Sequence, residues 1–140
     1  MAERGWLDWS VAGRPMPGEA VSGDVATSWA RDGRVVLAVI DGLGHGPEAA
    51  AAASVAAAAV EEHATEEPAS LLARVHKRLV GTRGAAATVV TVDVATGALD
   101  WLGVGNVDGV VLRADHAGPR DDALVLVARW LGGAGGSGVA

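Results

Sequence analysis

Six consecutive apolar residues, Val35-Val36-Leu37-Ala38-Val39-Ile40, run without interruption into Asp41-Gly42-Leu43-Gly44-His45-Gly46. A run this short and this rich in β-branched side chains predicts a strand buried on both faces. Pro47-Glu48 follows, with proline at a position favoured in the first helical turn and a carboxylate where the helix dipole favours negative charge. An Ala-rich stretch carries that helix to about residue 62. The resulting unit is strand, glycine loop, helix, and any fold for this chain must seat a two-faced strand beside a helix of small residues.

The rest of the chain is read around that unit. A second helix is expected over 69–80, because Leu71, Leu72, Val75 and Leu79 recur at helical spacing behind Pro68. Residues 88–94 are rich in β-branched side chains, Ala95-Thr96-Gly97 makes a turn, and 99–104 runs back, which predicts a hairpin. Further strands are expected over 107–113 and 124–130. Before the central unit, residues 6–11 and 20–29 are strand-like, the second broken by Ser22, Gly23 and Asp24, with a turn-rich stretch between them. Strands, two helices, then more strands suggest an α+β layered fold with a predominantly antiparallel sheet. The length of 140 residues fits one domain, placed over 1–131, with a flexible glycine-rich tail over 132–140.

Composition narrows the chemistry. A formal charge of -6, from 17 acids against 11 bases, offers no basic surface to a phosphate backbone, so nucleic acid is not expected as a partner. With no cysteine, disulfides, thiolate ligands and thiol nucleophiles are excluded, and any metal must be held by oxygen or imidazole. The first ten residues lack the apolar stretch of a signal peptide, and the Ala-rich run over 49–60 is too short to span a membrane. The expected location is cytoplasmic, with no membrane partner.

Candidate functional residues are Asp24, Asp41 with Gly42, and Asp121 with Asp122, each beside the end or start of an expected strand. Carboxylates at strand ends can converge, and their mutual repulsion is relieved by a divalent cation such as Mg²⁺ or Mn²⁺. Gly42 would let the backbone approach such an ion. Taken singly, Asp-Gly and Asp-Asp are also ordinary turn signals. His45, beside the same loop, is a candidate proton donor, the alternative being a polar contact at a helix terminus. His63, His76 and His116 lack ligand spacing and are expected at the surface.

The succession Ser22-Gly23-Asp24, Val39-Ile40-Asp41-Gly42-Leu43-Gly44-His45-Gly46 before an Ala-rich helix, Gly84-Ala85-Ala86-Ala87-Thr88 opening a hairpin, Gly105-Asn106, and Asp121-Asp122 before a last strand resembles the PPM (protein phosphatase 2C-like) family. The SpoIIE/RsbX-like subgroup is the nearest match, over 6–113 and 120–130. The resemblance implies a shortened two-layered antiparallel β-sandwich flanked by helices, with metals at one end. It implies that Asp41 bridges two Mn²⁺ or Mg²⁺ ions, Gly42 gives a carbonyl oxygen, Asp24 lies near the second ion, and Asp121 completes the first with Asp122 beside it. In-line attack of water on a phosphoserine or phosphothreonine would then need no covalent intermediate. The implied substrates are phosphorylated regulators of stressosome or anti-anti-sigma type.

Where the family carries a further strand and a Thr/Ser-Asp-Gly metal motif, this chain has only Asp115-His116-Ala117-Gly118-Pro119-Arg120. That departure leaves one metal short of a ligand and exposes a strand edge, which favours self-association into a homo-oligomer. Three readings stand at this point. One is a phosphatase working with a reduced ligand set, and another is a silent phosphatase-like module that binds a phosphoprotein. The third is a nucleotide-binding protein, but GxGxG matches neither G-x-G-x-x-G nor a P-loop.

Overall fold

A computed structural model describes the backbone of residues 9–113 and 123–126. Its order is β1 (Asp24–Arg31), β2 (Arg34–Gly42), α1 (Gly46–Glu62), α2 (Pro68–Arg78), β3 (Ala85–Asp93), β4 (Leu99–Val104), β5 (Val110–Arg113) and β6 (Ala123–Leu126). Four strands form an antiparallel sheet in the order β1-β2-β3-β4, and β5 pairs with β6 in a separate antiparallel ladder. The fold is α+β with antiparallel sheet, as the residue pattern implies. The stretch over 127–130 and the expected tail over 132–140 lie outside the described residues.

Strand alternation sorts the sheet into two faces. Val36, Ala38 and Ile40 of β2 and Ala87 and Val89 of β3 join the helices in the main core, with Leu71 and Val75 of α2. Against them α1 buries Ala49, Ala52, Ala53, Ala56, Ala59 and Val60. An alanine face lets the helix lie close to the sheet, and the bulk needed to fill the core comes from the strands and α2. The opposite face carries a second cluster, Val35, Leu37 and Val90, packed by Ala30, Val92, Val94 and Leu99. An apolar cluster on each face is why β2 reads as an unbroken hydrophobic run.

β1 and β2 are joined by Asp32 and Gly33, with φ of 52° and 76°. Positive φ at both positions is the type I′ arrangement, whose twist matches that of the flanking strands. The turn fixes the register, pairing Arg31 with Arg34 and, at the far end, Asp24 with Asp41. Arg34 also ties the sheet to the α1–α2 link, donating from Nε to the Ala64 carbonyl at 2.9 Å and from Nη2 to the Glu66 carbonyl at 2.5 Å.

Two expectations change. Residues 9–11, read as part of an early strand, are irregular; their composition permits a strand, but a strand requires a neighbour to pair with. His63, expected at the surface, is partly buried, with Nδ1 3.0 Å from Glu66 Oε1.

Candidate metal and phosphate site

The site begins at the open end of the β1–β2 hairpin. Asp24 and Asp41 are register partners, and alternation puts both on the sheet face away from the helices, in line with Leu37 and Val35. Ser22 Oγ donates to Asp24 Oδ2 at 3.2 Å and accepts from the Asp24 backbone N–H at 3.2 Å. Ser22-Gly23-Asp24 is therefore a local hydroxyl-stabilised turn that presents the carboxylate at the first position of β1.

Gly42 closes the pair from behind. Its N–H donates to the Gly23 carbonyl at 2.8 Å, and the next amide, Leu43 N–H, donates to the Gly84 carbonyl at 2.9 Å. A Cβ on Gly42 would overlap the Ala49 carbonyl and come within 2.9 Å of the Gly23 oxygen. The missing side chain is thus demanded by the approach of α1, quite apart from any ion. One on Gly23 would meet Ala49 Cβ at 2.9 Å. The first turn of α1 presses on both strand ends and holds the two aspartates in a tightly packed frame.

Beyond Gly42 the chain forms the glycine loop. His45 is the N-cap residue of α1, yet its side chain makes no cap hydrogen bond. The imidazole instead places Nδ1 2.5 Å from Glu19 Oε1. On the other side of the loop, Arg83 Nε lies 2.6 Å from Glu48 Oε2, and the Arg83 Nη1 lies where a side chain on Gly44 would begin. Sequence reasoning missed Glu19 and Arg83, and read Glu48 only as a carboxylate at the helix start. Glu19 is separated from His45 by 26 positions in a turn-rich segment without periodicity, and no local pattern marks it. Arg83 stands one place before a glycine that reads only as punctuation.

Two of the expected carboxylates, Asp24 and Asp41, are brought together, and Gly42 lies beside them. Asp121 and Asp122 lie outside the described residues. Among the described residues no group of three or more His, Asp or Glu side chains is arranged to hold a metal ion. The oxygen-only donor chemistry of Asp24 and Asp41 fits a hard divalent cation and would supply part of its shell.

A family model described as Stage II sporulation protein E (SpoIIE) matches residues 31–131. The phosphoserine phosphatase RsbX of Bacillus subtilis (strain 168) is 30% identical over 90 residues, which make up 64% of this chain and 45% of RsbX. A solved structure from work on the bacterial stressosome, a modular system adapted to control secondary messenger signalling, superposes with a TM-score of 0.70 and 33% identity over 84% of this chain and 62% of that one. A crystal structure of RsbX in complex with magnesium gives a TM-score of 0.66 at 24% identity, covering 84% of this chain and 56% of RsbX, a likeness of fold. The RsbU and RsbW domains of Rv1364c from Mycobacterium tuberculosis give 0.62 at 29% identity over 72% of this chain and 30% of that one. The chain thus spans about half the length of the curated relative it matches.

Proposed function

Since the chain belongs to the SpoIIE family, of PPM type, we propose that it is a metal-dependent phosphatase for phosphoserine or phosphothreonine on small regulatory proteins. The observation that carries this reading is the facing pair Asp24 and Asp41 at one end of the sheet, directly before the glycine loop. In it, Asp24, Asp41 and the Gly42 carbonyl would hold Mg²⁺ or Mn²⁺, and Asp121 with Asp122 would complete the ligand set. Bound there, the ions would supply Lewis acidity toward water and neutralise charge on the phosphoryl oxygens. The chain's own residues do the rest. The aspartates fix where the phosphoryl group sits, the packed Gly23–Gly42–Ala49 contact keeps that position rigid, and His45 protonates the departing serine oxygen.

The likeness to RsbX and to a stressosome structure supports phosphorylated regulators of stressosome or anti-anti-sigma type as substrates. Among the described residues no helix is long and apolar enough to cross a membrane; the proposed site of action is cytoplasmic. The edge strand β4 leaves Trp101, Leu102 and Val104 exposed, a surface that supports self-association.

One observation favours a second reading. Where the family carries a Thr/Ser-Asp-Gly metal motif the sequence has only Asp115-His116-Ala117-Gly118-Pro119-Arg120, which accords with a silent module that binds the phosphoprotein without cleaving it. The test is Mn²⁺-dependent hydrolysis of a phosphoserine protein by this chain and by Asp41→Asn, with metal binding titrated in parallel. The phosphatase reading expects metal-dependent turnover that falls by about 100-fold or more in the variant, as when a catalytic electrostatic contact is lost. No turnover and no metal binding in the parent chain would leave the silent module.

A further inference from the structure

Glu19 and His45 form a pair that the family-derived ligand set does not use. Gly18, with φ of 88°, turns the chain, and Glu19 N–H donates to the Met16 carbonyl at 3.0 Å, which aims the Glu19 side chain at the start of α1. One carboxylate oxygen lies 2.5 Å from His45 Nδ1. The other lies over Gly46, where a Cβ would come within 2.8 Å of it. The carboxylate is three-quarters shielded, while the imidazole is 61% exposed. The ring is thus held at one nitrogen by a group seated against the backbone, and its other edge is turned outward.

We propose that Glu19 is a positioning residue for His45. This inference rests on the phosphatase reading and on His45 as its proton donor. A carboxylate on Nδ1 fixes that nitrogen as an N–H donor, and so settles which nitrogen is left for exchange with substrate. The proton that His45 delivers then comes from Nε2. As the water oxygen bonds to phosphorus and the P–Oγ bond breaks, the Nε2 proton passes to the serine Oγ. The imidazolium becomes neutral imidazole with its Nδ1–H still on Glu19. Gly46 has φ of 75°, which glycine adopts without strain, and a side chain there would also crowd the carboxylate, so its place in the loop is explained without reference to a metal.

Two measurements on the full chain test the assignment. The first is the ring ¹⁵N spectrum at alkaline pH, with the His45 signals identified by their loss in His45→Ala. The pair expects His45 as the Nδ1–H tautomer, shifting toward the mixture of a free ring in Glu19→Ala. An Nε2–H ring in the parent chain, or no change in the variant, overturns the proposal. The second compares leaving groups with Mn²⁺ present. A serine oxygen needs a proton as it departs, whereas p-nitrophenolate leaves without one. Glu19→Gln should lower kcat on a phosphoserine peptide about tenfold more than on p-nitrophenyl phosphate, at the low end of what general acid catalysis supplies. Equal losses on both substrates indicate a merely structural role and overturn the proposal. If the parent chain turns over neither substrate, the phosphatase reading fails with the catalytic role, while the ring spectrum still decides the pairing.

Discussion

Gly42 is the residue at which packing and chemistry meet. Its amide is bonded to Gly23 across the strand ends, and the Ala49 carbonyl of α1 occupies the space a side chain would need. Gly42→Ala must push α1 away from the sheet or bend β2. The expected cost is about 2–3 kcal/mol, in the range of forced overpacking, read as a lower urea midpoint with an unchanged slope. A variant as stable as the parent would show that α1 does not press on the strand ends as described. The Asp41→Asn test addresses a different matter, since it leaves this contact in place and removes only charge. The sequence made Asp24, Asp41 and His45 conspicuous, because acids and a histidine beside glycines stand out against an Ala and Val background. It could not mark Glu19, whose partner is reached only once the chain has folded back on itself.

The elements differ in how openly they were written. β2 and α1 were readable because each has a single dominant pattern, an unbroken apolar run and an Ala-rich stretch behind a proline. The β3–β4 hairpin was equally plain from its β-branched strand and Ala95-Thr96-Gly97 turn. The early strand expected over 6–11 failed over 9–11 because propensity names what a segment can do, while pairing depends on neighbours far along the chain. Within α1, alanines look interchangeable in sequence and are not so in the fold. Ala56 is fully buried between helix and sheet, whereas Ala58 faces solvent. Ala56→Leu should destabilise by about 1–3 kcal/mol through overpacking, and Ala58→Leu should change stability by less than about 0.5 kcal/mol. Equal effects in chemical denaturation would refute the assignment of the alanine face.

At the scale of the whole molecule, two carboxylates link stability to acidity. Arg74 holds the Glu66 carboxyl below its ordinary range, and the backbone N–H of Thr96 does the same for Asp93. A carboxyl with a lowered pKa in the fold binds fewer protons there than in the unfolded chain. Its contribution is therefore complete above the ordinary carboxylate range of about 4 and is lost as pH falls through the lowered values. Unfolding midpoints should hold steady from pH 7 to pH 5 and fall below about pH 4, less steeply in Arg74→Ala; an identical acid limb in both chains would count against the Arg74–Glu66 link. The two-residue turn at Asp32 and Gly33 has a further consequence, one for heredity. Surface turns are where a lineage ordinarily gains or loses a codon at little harm. Losing one here would draw a neighbouring residue into the turn and slip β1 by one place, sending Asp24 to the opposite face from Asp41. A deletion a full strand's length from the acidic pair would then behave genetically as a lesion in the pair itself, recognisable by loss of the cation binding proposed for it.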